Sequence, residues 1–213
     1  MECPLFSGVA EPVIRRLAEK AHVRRYGRGQ LLFSEGDSGD SLFVLIEGSL
    51  KAVSSRADGG GLLLAVAGPR EVVGELSVAD GGARSASVFA ITEATVLRVP
   101  RDAVMFAATE SPELTRALLA SIAALVRRLT GSATDLVYLD TPRRVAKMVL
   151  AGTTRDNAGA PHLTQTEMAS AVGASRQSVN SALQDLQRRG WIVLRAGEIE
   201  LRDAAALRRF VGG

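Results

Sequence analysis

The segment "GELSVADGGARSA", residues 74–86, places Glu75 and Arg84 among small, apolar and glycine-turn residues. A glutamate and an arginine in such a setting allow two readings. They form a salt bridge with each other, or they receive a ligand that carries both an anion and a hydroxyl group. The arginine fork suits a phosphate through paired charge-assisted hydrogen bonds. A carboxylate repels phosphate but accepts from a hydroxyl.

A second chemical pattern lies in "LTQTEMASAVGASRQSVNSALQDLQRRGWI", residues 163–192. Thr164 and Glu167 have the Thr-x-x-Glu spacing of a capping box, which satisfies two orphan amides at a helix start. The spacing predicts a helix to Val172, a left-handed turn at Gly173 and a second helix capped by Ser175. On that second helix Val179, Leu183 and Leu186 make an apolar stripe. Arg176, Gln177, Asn180, Ser181 and Gln184 take the opposite face. Arginine can fork onto guanine O6 and N7, and Gln or Asn onto adenine N6 and N7. The helix starts at Thr164 and Ser175 favour phosphate. "WIVLRAGEIEL" reads as two short strands around Ala196-Gly197, a wing whose Arg195 can reach backbone phosphate. Helix, glycine turn, readable helix and wing make a winged helix-turn-helix, with a plain three-helix interaction module as the alternative.

The remaining elements must position these groups. A short amphipathic helix is expected from Glu11 to Ala21. Between residues 27 and 82 recurrent glycines separate short β-type runs such as "SLFVLIEG" and "GLLLAVAG", the pattern of an all-β barrel or roll. After Pro100 the chain turns helical. Leu118, Ile122, Leu125, Leu129, Leu136 and Leu139 fall at 4-3-4-7-3 spacing, and Ser132 divides the long step in register. This is a heptad seam for a second chain, or else a single helix packed on its own domain. Gly131 beside Ser132 loosens the helix by about 1 kcal/mol relative to Ala. "LDTPRR" ends it: Asp140 or Thr141 can cap a new helix, and Pro142 suits its first turn.

Composition narrows the classes. The chain of 213 residues is 46% hydrophobic and 23% charged, enough for a substantial core. Residues 1–140 carry 15 basic and 17 acidic side chains, whereas residues 141–213 carry 11 and 6. A basic end on a slightly acidic body suits a polyanion. Cys3 is the one cysteine, and His22 and His162 lie far apart, so a zinc or multi-cysteine metal site is not expected. We find no nucleophile–base pair and no phosphate loop of the Walker type, so no enzyme is expected. No apolar run has membrane length and no signal pattern opens the chain, so the expected location is the cytoplasm.

"GEL…RSA" (74–76 and 84–86), "LVYLD" (136–140) and "VGASRQSVNSALQDLQRRGWI" (172–192), in this order, resemble the cAMP receptor protein family of bacterial transcription regulators, which includes the fumarate–nitrate regulators. The resemblance covers nearly the whole chain. It implies an α+β fold: a jelly-roll-like β-roll (1–110), a long dimerisation helix (111–139) and a C-terminal winged helix-turn-helix (140–213). It implies a homodimer on two-fold-related double-stranded DNA, with RNA polymerase as a further partner, no membrane and no cofactor beyond an effector, cAMP. The iron–sulfur mechanism of the fumarate–nitrate branch does not carry over to a chain with Cys3 alone.

In this light residues 74–86 look like a phosphate-binding cassette. Arg84, Ser85 and amides after Gly74 would hold the phosphate, Glu75 would accept from the ribose 2′-hydroxyl, and Leu76 and small Ala86 complete the motif. Ser132, or else Thr130, would meet the purine, although the seam is about one turn shorter than in the family. Asp140 and Pro142 would form the hinge through which the effector re-packs the helix. At the positions that read bases in the family, this chain has Arg176, Gln177 and Ser181. Gln177 lacks an acceptor charge and Ser181 a reaching cation. A related but altered palindrome follows, each lost contact changing discrimination by roughly 1–3 kcal/mol.

Overall fold

The computed structural model describes residues 3–55, 61–153, 163–195 and 198–212. It divides into two units, Met1–Arg128 and Leu129–Gly213. The division falls inside one continuous helix.

In the first unit, among the described residues, a 3-10 turn (Pro4–Phe6) and α1 (Glu11–Lys20) precede eight strands. These are β1 (His22–Tyr26), β2 (Leu31–Phe33), β3 (Ser41–Glu47), β4 (Leu50–Ser55), β5 (Gly61–Ala67), β6 (Val72–Val73), β7 (Ser87–Ala90) and β8 (Ala94–Pro100). α2 (Glu75–Asp80) lies between β6 and β7. The strands form two antiparallel sheets, β1-β8-β3-β6 and β2-β7-β4-β5, which face each other as a roll.

β3 explains the roll's two cores. Its run "LFVLI" is apolar without alternation, as expected of a strand buried on both faces. Phe43 and Leu45 point between the sheets, with Leu50, Val88 and Val96. Leu42 and Val44 point outward against Val13, Leu17, Val104, Leu114 and Leu118 from the helices.

α3 (Arg101–Glu110) ends at Ser111, and α4 (Pro112–Tyr138) begins at once. The Ser111 hydroxyl accepts from the Leu114 amide, and Pro112 occupies the first turn, where its missing donor costs nothing. α4 runs through Gly131 without a break. Its apolar faces correct the seam expected from sequence. Leu118 is buried in the first unit's own core rather than presented outward. Before its last turns Leu119 (62%), Val126 (56%) and Leu129 (42%) are exposed, with Ile122 half-buried between them, and Leu136, Val137 and Tyr138 are exposed at its end. An outward stripe is therefore Leu119, Ile122, Val126 and Leu129 at 3-4-3 spacing; Ile122 and Leu129, with the exposed Leu136 further along the helix, are positions of the expected seam.

The second unit contains the end of α4, then α5 (Thr141–Thr153), α6 (Gln165–Val172), α7 (Arg176–Arg188), the hairpin β9 (Ile192–Arg195) and β10 (Glu198–Leu201), and α8 (Ala204–Gly212). Val145, Val149, Met168, Val172, Val179, Leu183, Leu186, Ile192 and Leu207 form one core. The wing's tip, Ala196-Gly197, and His162 lie outside the described residues. Asp140 caps α5 by accepting from the Arg143 amide at 2.9 Å. The last turns of α4 are tied to this unit. Lys147 pairs with Asp135 at 2.7 Å, and Arg144 donates to the carbonyls of Leu139 and Val172. A side chain at Gly173 would lie 2.8 Å from Leu136.

Candidate ligand pocket and nucleic-acid interface

Gly74 precedes α2 with φ +87, and a Cβ there would come within 2.4 Å of the Arg84 guanidinium. Both the left-handed backbone and the close approach require glycine. Arg84 is only 3% exposed. Its Nη1 donates to Ser77 Oγ at 2.8 Å and to the Gly74 carbonyl at 3.3 Å, and its Nη2 to the Ser41 carbonyl at 2.8 Å. The guanidinium also lies 4.3 Å from the centre of the Phe33 ring and 5.6 Å from that of Phe43. Its Nε is buried without a partner. Burial lowers the Arg84 pKa, opposed chiefly by the Asp40 charge.

Glu75, the first residue of α2, is also buried, and no ion pair joins it to Arg84. The salt-bridge reading of the pair does not hold in this structure. Burial raises the Glu75 pKa, against the pull of its own backbone hydrogen bond and of the Arg128 and Arg84 charges. Leu76 is half-buried, Ser85 exposed and Ala86 buried. Thr130 and Ser132 are exposed on the part of α4 that belongs to the second unit.

Sequence reasoning missed two neighbours of Arg84, one that fixes it and one that faces it with a charge. Ser77 lies within the cassette and was readable as a hydroxyl one helical turn beyond Gly74. Asp40 was not readable. Its Oδ1 is 3.7 Å from Arg84 Nη2, and its other oxygen accepts from Arg98 at 2.7 Å. Asp40 and Arg84 also line a cavity of about 410 Å³ with Arg24, Tyr26, Asp37 and Arg98. Of the cassette residues only Arg84 lines it. No group of residues suited to hold a metal ion occurs among the described residues.

In the second unit the expected local chemistry is in place. Thr164 and Glu167 form the reciprocal capping box, Gly173 has φ +62, and the Ser175 hydroxyl accepts from the Ser178 amide. Because the Thr164 hydroxyl donates to the Glu167 carboxylate at 2.9 Å, its proton is already committed. Ser175, Arg176, Gln177, Ser181 and Gln184 are exposed together along α7. Asn180 is half-buried, and its Oδ1 accepts from Gln165 at 3.4 Å, a contact not anticipated from sequence. Arg195 is exposed but donates to Glu200 at 3.3 Å across the wing. Pro142 lies in the first turn of α5. Among the described residues no helix is long and apolar enough to cross a membrane.

Comparison with known proteins agrees with both units. A cyclic nucleotide-binding domain model matches residues 23–110, and a Crp-like helix-turn-helix domain model matches residues 143–210. The chain is 37% identical over 212 residues to the CRP-like cAMP-activated global transcriptional regulator of Mycobacterium tuberculosis, covering 96% of this chain and 95% of the relative. Among solved structures, the Thermus thermophilus catabolite activator protein matches with 29% identity, 98% coverage of each chain and a TM-score of 0.56. FixK2 from Bradyrhizobium japonicum has the same fold, with a TM-score of 0.82 at 22% identity over 89% of this chain and 96% of that one. A β-roll with a phosphate-type cassette, followed by a winged helix-turn-helix, thus places the chain in the cAMP receptor protein and fumarate–nitrate regulator family, whose members regulate transcription and are not enzymes.

Proposed function

We propose that this transcription regulator acts as a homodimer with cAMP as its effector, binding two-fold-related double-stranded DNA in the cytoplasm and contacting RNA polymerase. The observation that carries the effector reading is the state of Arg84. It is buried, fixed by neutral acceptors and unpaired with Glu75, and its Nε–H has no acceptor. A cyclic phosphate supplies an anion for that donor, and the ribose 2′-hydroxyl supplies a donor for Glu75. Backbone amides after Gly74 at the start of the cassette and Ser85 at its end add to the anion site. The name of the mycobacterial relative, cAMP-activated, supports the same choice.

The exposed stripe Leu119, Ile122, Val126 and Leu129 suits a second copy of α4. In this reading residues 1–110 bind the effector, 111–139 dimerise and 140–213 bind DNA. Ser132 or Thr130 meets the purine, and Asp140 and Pro142 form the hinge. Arg176, Gln177 and Ser181 read bases, while Thr164, Ser175, Asn180 and Arg195 contact or flank the backbone. The effector shifts the dimer only by its differential affinity for two states.

The test is calorimetric titration with cAMP and cGMP, repeated with Arg84→Ala. The expected result is cAMP binding by the wild type and its loss in the variant. No binding of either nucleotide by the wild type would remove cAMP while leaving DNA binding intact. A second reading, a regulator whose roll takes another ligand or none, draws on the same arginine. Its three protein acceptors hold it in place without a ligand. Such a protein would shift an operator probe equally with and without cAMP.

A further inference from the structure

Asp40 lies beside the cassette through contacts distant in sequence. The amide of Gly36 donates to the Arg84 carbonyl, and the Arg84 amide donates to the Asp37 carbonyl. Gly39 packs so closely on α2 that a Cβ would come within 2.1 Å of Ser77 Cβ. The Asp40 carbonyl accepts from the Arg101 amide at 2.8 Å, anchoring the far side of the loop. Ser41 Oγ donates to Asp40 Oδ1 at 2.6 Å, and Arg98 donates to Oδ2 at 2.7 Å. The Ser41 hydrogen bond, followed by the Arg98 and Arg84 charges, lowers the Asp40 pKa, so the carboxylate stays ionised near neutrality.

Arg84 does not need this carboxylate to keep its place, since three neutral acceptors and the Phe33 ring already hold it. At 3.7 Å Asp40 acts on it through charge, not through a hydrogen bond. Any phosphate at Arg84 must therefore share the guanidinium with a fixed negative charge.

We propose that Asp40 is a charge filter of the effector site: it makes Arg84 accept a singly charged cyclic phosphodiester and reject a doubly charged phosphate monoester. The inference rests on the reading that Arg84 takes a cyclic nucleotide. A cyclic diester has one negative charge, whereas a monoester has close to two above its second pKa of about 6. The repulsion from Asp40 scales with ligand charge. At about 7 Å and an effective dielectric between those of a protein surface and bulk water, one unit charge changes monoanion affinity by roughly tenfold. The same charge then changes dianion affinity by roughly the square of that factor, about a hundredfold. Arg98 restrains Asp40 and so limits its approach to Arg84.

The experiment is calorimetric titration of the full-length wild type, Asp40→Asn, Arg98→Gln and the double variant with cAMP and with 5′-AMP at pH 7.5, in low and high salt. Asp40→Asn is expected to tighten cAMP about tenfold and 5′-AMP about a hundredfold, both gains shrinking in high salt. Arg98→Gln is expected to weaken both, 5′-AMP more strongly, and the double variant to bind both less tightly than Asp40→Asn, since Arg98 lines the same cavity and its own charge attracts the ligand. If Asp40→Asn leaves the ratio of the two affinities unchanged, or weakens both ligands equally, the filter is overturned while cAMP binding stands. If wild type and Asp40→Asn alike bind neither nucleotide, the cyclic-nucleotide reading falls and the filter with it.

Discussion

Replacing Arg84 with Ala tests whether this side chain is a structural fixture as well as a ligand group. The variant loses hydrogen bonds to Ser77 Oγ and to the carbonyls of Ser41 and Gly74. Each is worth about 1 kcal/mol net, and a buried carbonyl left without a partner costs about 1–3 kcal/mol more. Ser41 is fully buried, so water cannot readily replace the lost donor. Stacking on Phe33 adds about 1 kcal/mol. Against this, the variant no longer buries a cation, a cost evident in the lowered Arg84 pKa. The balance is a destabilisation of about 2–4 kcal/mol, near the upper range for point substitutions. Urea unfolding followed by far-UV circular dichroism should show the first unit's transition moving down by about 1–2 M. Trp191 is the one tryptophan and lies in the second unit, so its fluorescence transition should move less. A dichroism transition within about 0.3 M of wild type would refute the reasoning, because the three hydrogen bonds of Arg84 would then contribute no net stability.

Glu75→Gln should stabilise the first unit at pH 7. Burial raises the folded-state pKa above the ordinary 4.5, so this carboxyl favours folding below 4.5, and that contribution is lost as pH rises through the raised value. Urea midpoints of variant and wild type should converge on acidification, and a gap independent of pH would contradict the assignment. Val126→Glu, on the exposed stripe, should shift the protein toward monomer in sedimentation while leaving its dichroism intact, whereas Leu118→Glu should unfold the first unit. Thr164→Ala should cost about 1 kcal/mol in the Trp191 transition, since it removes the hydroxyl that accepts from the Glu167 amide while leaving the backbone half of the capping box.

Where local backbone chemistry decides, the chain was readable. Thr164, Gly173 and Ser175 act within a few residues of themselves, and each appears in the structure in the role its type implies. Arg84 was legible for a related reason: a cation in an apolar, glycine-turn setting is costly unless it has a purpose, whereas the left-handed backbone at Gly74 was not read from the sequence. Asp40 was not legible, because its place depends on the pairing of Ser38 with Ala83, two distant segments. Leu118 failed for another cause. Its heptad position is the same whether it faces a partner chain or its own domain, and only the packing of α1 and α3 decides. Arg195 could have been foreseen as paired, since the wing register places Glu198 opposite it and Glu200 two residues further along that strand.

The ties of Arg144, Lys147 and Gly173 to the end of α4 determine where this protein can be cut. A DNA-binding fragment that begins at Asp140 discards Asp135, Leu136 and the Leu139 carbonyl. Lys147 would lose its counter-charge, Arg144 one of its acceptors, and the turn at Gly173 its apolar cover. A fragment that begins at Leu129 keeps all three. The last turns of α4 are thus the handle of the winged helix, inherited by whichever piece is to grip DNA.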